Sequence, residues 1–276
     1  MSPCIMGIVN LTPDSFWEGS RHATASEAFQ TMERMLDAGA AMIDLGAASS
    51  RPGTLMPTME EEWARLQPVL QPLRRHFPQA AISIDSFHSE IVRRAYDLIG
   101  PFTVNDISAG EDDAQMLTTA GALKLPFIAM HKRGRPDEMT GLTDYSDLAG
   151  ELRQYFTQIQ TQARAVGIPE LIIDPGFGFA KTTAQNYELL GRLPELRPLP
   201  SPAAPTDALS HPRLLVGISR KSMVYKPLGI TPQEALPATT ALHLYALQQG
   251  VDILRAHDVR EAVQALKLYQ ILSVGL

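Results

Sequence analysis

Residues 171–182 read LIIDPGFGFAKT. The stretch opens as an apolar, β-branched run of the kind that forms a strand covered on both faces. It then breaks at Asp174 into a proline, two glycines, two phenylalanines and Lys181. Two readings fit this pattern. One is an ordinary strand-to-helix turn, and the other is the floor of a ligand site. The ends of the chain's other strands decide between them.

Similar runs recur along the chain. They are CIMGIVN (4–10), AMIDLG (41–46), AISID (81–85), FTVND (102–106), PFIAMH (126–131), LIIDP (171–175), LLVGIS (214–219) and VDILRAH (251–257). Between them lie amphipathic stretches. Ala25, Ala28, Phe29, Met32 and Leu36 recur at helical spacing, and Gly39 ends the pattern. Thr24 with Glu27, and Thr58 with Glu61, read as capping boxes. The last helix opens at Asp258 and Glu261 and carries Val259, Ala262, Val263, Leu266 and Tyr269 on one stripe. Its apolar end, LYQILSVGL, suits a subunit contact.

Strands that alternate with helices imply parallel crossovers. Eight of them in 276 residues predict an α/β fold, a (β/α)8 TIM barrel in a single domain spanning 1–276. A doubly wound open sheet is the alternative, but no GxGxxG follows the first strand. The proline-rich segment at about 194–212 reads as a surface excursion within that domain.

Every predicted strand closes on polar groups: Asn10, Asp44, Asp85, Asn105 with Asp106, His131, Asp174, Ser219 with Arg220 and Lys221, and Arg255 with His257. One polar strand end is commonly just a turn former. A full set on one barrel face, where this fold places its active site, argues for a ligand.

The composition narrows the class. The chain is 45% hydrophobic and 20% charged, with a net charge of −6 that disfavours a nucleic-acid partner. A single cysteine, Cys4, allows no internal disulfide and fits a reducing cytoplasm. The opening MSPCIMGIVN has no basic region of a signal peptide, and no apolar run is long enough to span a membrane.

By chemistry the strand ends fall into two sets. Asp85, Asn105 and Asp174 offer acceptors to a planar heterocycle with an amidine-like edge. Lys221 can donate to that ring, and Met130 and Phe179 can cover its faces. Arg255 and His257, with Asn10 and Arg51, suit a phosphate or diphosphate. For Arg255 and His257 an ion pair with Asp252 or Asp258 is an equal alternative. Asn10 can share a Mg²⁺ ion with phosphate oxygens.

In order along the chain, IMGIVNLTPDSF (5–16), GAASSRPG (46–53), SIDSF (83–87), VNDIS (104–108), MHKRG (130–134), DPGFGFAKT (174–182), VGISRKS (216–222) and RAHDV (255–259) resemble the motifs of bacterial dihydropteroate synthases. The resemblance implies a cytoplasmic, homodimeric transferase of folate synthesis, a sulfonamide target, that joins a pterin diphosphate to p-aminobenzoate. It implies that Asp85, Asn105, Met130, Asp174, Phe179, Gly217 and Lys221 bind the pterin. It places the diphosphate on Asn10, Ser50, Arg51, Arg255 and His257, with Mg²⁺ at Asn10. It places p-aminobenzoate against Ser50, Arg51, Pro52, Phe179, Lys221 and Ser222. Asp85, Asp174, Lys221, Arg255 and His257 then carry catalysis, and Lys181 is left as a solvated residue at a helix start. The chain departs from the motifs at Ala48, where glutamate is usual, at Ser50 and Ser86 for threonine, at Trp17, and at Ala180 for glycine. A pterin-dependent methyltransferase domain, or a non-catalytic pterin-binding paralogue, are the alternatives.

Overall fold

The computed structural model describes residues 2–11, 21–48, 57–134, 138–199 and 209–274. Its strands are β1 (Cys4–Asn10), β2 (Met42–Gly46), β3 (Ile82–Asp85), β4 (Thr103–Asp106), β5 (Phe127–Met130), β6 (Leu171–Asp174), β7 (Arg213–Val216) and β8 (Ile253–Ala256). Each pairs in parallel with the next, and β8 pairs with β1 to close the barrel. The predicted (β/α)8 fold is therefore the observed one.

The helices described are α1 (Arg21–Asp37), α2 (Met59–His76), α3 (Ser89–Ile99), α4 (Met116–Ala122), α5 (Leu148–Val166), α6 (Thr183–Gly191), the short α7 (Ser222–Tyr225), α8 (Leu236–Gln248) and α9 (Val259–Val274). The capping box at α2 forms: Thr58 accepts from the Glu61 N–H, and Glu61 accepts from the Thr58 N–H at 2.8 Å. The box expected at Thr24 does not start its helix, because α1 already includes Arg21.

Seven of the eight strands end or begin inside their expected bounds, and only β1 keeps both of its own. β5 stops at Met130, so His131 lies beyond it. β7 stops at Val216, where its pairing with β8 ends, so Gly217 to Lys221 form the loop after it. The flanks of the proline-rich segment are tied to the body of the protein. Leu196 and Leu209 are buried, Gln160 donates to the Leu209 carbonyl at 2.6 Å, and Arg197 bonds Asp252 at 2.7 Å. Residues 200–208 of that segment lie outside the described residues.

Side chains alternate across a strand with a period of two. One set faces the helices and forms the large outer core, including Ile43, Val104, Phe127, Ile173 and Leu214. The other set points down the barrel axis. Met6, Ile128, Ile172, Leu215 and Ile253 pack there as a separate cluster, with Met42 against them. This cluster is the floor on which the site stands.

Candidate active site

Two residues beyond five of the floor residues, on the same strand face, stands a residue of the barrel mouth. The step leads from Met42 to Asp44, from Ile128 to Met130, from Ile172 to Asp174, from Leu215 to Gly217 and from Ile253 to Arg255. Strand register aligns Asp85 with Asn105, Met130 with Asp174, and Asn10 with Gly46 beside Asp85. Asn10, Asp85, Asn105, Met130, Asp174 and Arg255 thus share the carboxyl-terminal mouth of one barrel. Asp106 has the opposite parity. Its carboxylate closes a turn by accepting from the N–H groups of Ser108 and Gly110.

Arg255 reaches across the barrel. Its Nε donates to Asp44 at 2.6 Å and its Nη2 donates to Asp85 at 3.1 Å. Asn105 donates to the same Asp44 oxygen at 3.1 Å. The alternative for Arg255, an ion pair with Asp252 or Asp258, is not the one it makes. Arg197 takes Asp252, and Arg220 takes Asp258 with two N–H groups at 2.8 and 3.0 Å. The heterocycle set and the anion set also meet, because Arg255 bonds Asp85. The reason is strand parity: β8 aims Arg255 into the barrel, where only a long side chain spans to β2 and β3.

Asp44 is fully buried, and its second oxygen has no hydrogen-bond partner. The sequence marks it only as a polar strand end. Its contact with Arg255 spans 211 residues of chain, so no local pattern could reveal it. Burial, with the Asp44 carboxylate close by, pushes the Asp85 carboxyl up to about 8, against the pull of Arg255.

Asp174 ends β6, as its sequence implied. One carboxylate oxygen accepts from the Gly176 N–H at 2.8 Å. Burial pushes its pKa up, while Lys221, that N–H, Arg255 and Lys181 hold it down. Gly176 has φ +69°, and a Cβ there would stand 2.0 Å from the His131 carbonyl oxygen. Only glycine allows this approach. Asn186 accepts from the Gly178 N–H at 2.8 Å and so fastens the loop to α6. Lys221 donates to the Phe177 carbonyl at 2.7 Å and lies 5.0 Å from the centre of the Phe179 ring. Burial draws its amine down to about 8 although Asp174 opposes this.

Lys181 overturns its expectation. It is buried, not solvated, at 8% exposure. Its Nζ lies 3.1 Å from His131 Nδ1 and donates to the carbonyls of Gly176 at 3.1 Å and Phe179 at 3.0 Å. The residue precedes the α6 cap, Thr182, and its side chain turns inward onto His131 and the carbonyls of its own loop.

Met130 is buried on β5, Asn105 is buried on β4, and Ser222 opens α7 half-buried. Gly217 lies against Arg255, with a Cβ position 3.8 Å from the Arg255 Cβ. Asn10 is half-buried and His257 exposed at the rim. Trp17, Ser50, Arg51 and Pro52 lie outside the described residues. The described mouth therefore offers a floor of carboxylate and amide acceptors, cations at one side and a phenylalanine wall.

The pterin binding enzyme family matches residues 6–257. The dihydropteroate synthase of Synechocystis sp. is 42% identical over 96% of this chain and 88% of that protein. That of Escherichia coli is 37% identical over 97% of this chain and 91% of that protein. Among solved structures, the Yersinia pestis dihydropteroate synthase with a sulfonamide drug superimposes with a TM-score of 0.87 at 35% identity. The match covers 99% of this chain and 95% of that one. The Burkholderia cenocepacia enzyme with 7,8-dihydropteroate gives 0.85 at 30% identity, over 99% and 92%. A parallel barrel with its carboxylates at one mouth, matched over nearly its whole length, belongs to the dihydropteroate synthase family of pterin-binding enzymes.

Proposed function

We infer that this mouth carries out the dihydropteroate synthase reaction. In it, 6-hydroxymethyl-7,8-dihydropterin diphosphate and p-aminobenzoate give 7,8-dihydropteroate and diphosphate. The observation that carries the reading is the convergence of Asp85, Asn105 and Asp174 over one apolar floor, with Arg255 and Lys221 beside them.

The amidine-like edge of the pterin pairs with Asp174, and Asn105 and Asp85 meet the rest of the ring. Met130 and Phe179 cover its faces, Lys221 donates to its carbonyl side, and Gly217 leaves room for it. When the bond from the methylene carbon to the diphosphate oxygen breaks, positive charge spreads into the ring. Asp85 and Asp174 stand where they stabilise that charge, fixed before it develops. The aryl amine of p-aminobenzoate is already an uncharged nucleophile, so it attacks without a strong base.

The departing diphosphate falls to His257, to Asn10 and to the N–H groups of Arg255 not engaged with Asp44 and Asp85. Ser50 and Arg51 belong to the same anion set. With Pro52, Phe179, Lys221 and Ser222 they also shape the p-aminobenzoate side, where a sulfonamide would compete.

Among the described residues, no cluster of three or more His, Cys, Asp or Glu residues is placed to hold a metal ion. A lone Asn10 amide fits a Mg²⁺ ion that arrives on the diphosphate oxygens and keeps its waters. Such an ion would neutralise charge on the leaving group.

Two copies of the chain would pack through α9, where Leu268, Ile271 and Leu272 are more than half exposed. Leu268 also lines an apolar groove with Leu236, Pro237 and Leu244 of α8. Replacing Leu268 and Ile271 by glutamate should turn a dimer into a monomer in light scattering. Among the described residues no helix is long and apolar enough to cross a membrane, and we place the enzyme in the cytoplasm.

The test of the activity is direct. The purified chain is mixed with the pterin diphosphate and labelled p-aminobenzoate, with and without Mg²⁺. Labelled dihydropteroate should form in the presence of Mg²⁺, and its absence would overturn the reading.

A further inference from the structure

We propose that Lys181 is a positioning residue for the pterin site. It braces the loop that carries Asp174 and Phe179 and supplies the counter-charge that keeps Asp174 ionised. The inference rests on Asp174 as the pterin anchor and deepens that reading.

The geometry is that of an internal clamp. An ammonium has three N–H donors and no acceptor. Lys181 has three acceptors around Nζ: the carbonyl of Gly176, the carbonyl of Phe179 and Nδ1 of His131. The two carbonyls bracket the turn that Gly176 starts and Phe179 ends. Nζ thus ties the two ends of that turn to the end of β5. The turn carries the N–H that bonds Asp174, since that donor is Gly176 itself. A shift of the clamp would move both the Asp174 carboxylate and the Phe179 wall.

His131 is suited to its part. It is buried, with its ring set edge-on to Tyr155 at a centroid distance of 5.0 Å. Burial and the neighbouring cations Lys181 and Arg133 push its pKa down to about 2. A neutral imidazole can present a lone pair at Nδ1 to an ammonium, whereas a protonated one cannot.

Charge is the second link. Burial draws the Lys181 amine down to about 7, Asp174 pulls it up, and Lys221 and Arg133 push it down. Below about pH 7 it is a cation. As the pH falls Asp174 takes up a proton, and burial makes it do so more readily than a free carboxylate. Lys221 from the loop after β7, Arg255 from β8 and Lys181 all oppose that protonation. Removing one of these cations should raise the pH at which Asp174 loses its charge, and pterin binding should fail at that higher pH.

Calorimetric titration with 6-hydroxymethylpterin tests this, from about pH 5 to about pH 8, on the parent chain, Lys181→Met, Lys181→Gln and Asp174→Asn. Lys181→Met should bind about 10-fold or more weakly at the acid end of that range, with the acid limb of its affinity moved up by about one pH unit. Lys181→Gln can still donate to the Gly176 or Phe179 carbonyl. It should show the same shift of the limb, and it decides the matter if the methionine variant does not fold by circular dichroism. Parental affinity across the range would overturn the proposal. So would an equal loss at every pH, which is the mark of loop packing without charge. Asp174→Asn should bind too weakly to measure. If it binds like the parent, the assignment of Asp174 falls, and the role of Lys181 falls with it.

Discussion

Arg255 on β8 holds Asp44 on β2 by a 2.6 Å hydrogen bond across the interior of the barrel. Asp44 has no exposed surface, and the Arg255 side chain is 20% exposed. The pair also positions the site, because the same guanidinium extends to Asp85. Removing the charge from one member of a buried pair leaves the other uncompensated. Asp44→Asn should therefore destabilise the chain by about 3 kcal/mol, measured as a lower urea midpoint. It should also weaken pterin binding, because Arg255 then rests on Asp85 alone.

Asp85 makes the stability of the ligand-free chain depend on pH. Burial and the Asp44 carboxylate raise its carboxyl from 3.8 to about 8 in the folded chain. A raised folded value means that the native state binds the proton more tightly than the unfolded chain does. The stability this provides is full below about pH 4 and is lost as the pH climbs to about 8. Asp85→Asn removes the titration. It should match the parent near pH 5 and become the more stable of the two near pH 8 in urea denaturation. A constant gap between the two proteins across that range would show that Asp85 is already ionised at the acid end.

Gly176→Ala should disable the site. The backbone there is left-handed at φ +69°, and the added methyl would meet the His131 carbonyl oxygen at 2.0 Å. The two penalties together come to about 2–5 kcal/mol. Thermal unfolding should register the loss. Pterin titration should register a further one, since the Gly176 N–H would leave Asp174.

Ala180 sits in the same loop with φ +50°. An alanine in that region is strained, and glycine is not. Glycine also has more freedom to lose on folding, which offsets part of the gain. Ala180→Gly should therefore stabilise the chain by about 0.5 kcal/mol, seen as a small rise in the melting temperature. Turnover should stay within about twofold of the parent, because no side-chain polar group is removed.

Much of this protein is legible in its sequence because the relevant physics is local. Parallel strands buried on both faces must be apolar runs, and crossovers must be amphipathic helices, so the barrel is read from LIID and its counterparts. Asp174, Asn105 and Asp85 stand at strand ends, and the alternation of side chains sends them all to one mouth. The glycines of DPGFGF mark a tight turn wherever they occur.

Partner choice is the part that only the tertiary structure decided. Arg255 lies midway between Asp252 and Asp258 in the chain, yet it bonds Asp44, 211 residues away, because strand parity turns it into the barrel. Asp258 goes instead to Arg220 and Asp252 to Arg197. Lys181 shows the same limit from the other side. A lysine just before a helix cap reads as solvated, since nothing local supplies acceptors to a buried amine. Its acceptors are two carbonyls exposed by a glycine turn and one histidine at the end of a different strand. Those groups meet only once the loop has closed against β5, and that meeting makes Lys181 part of the site.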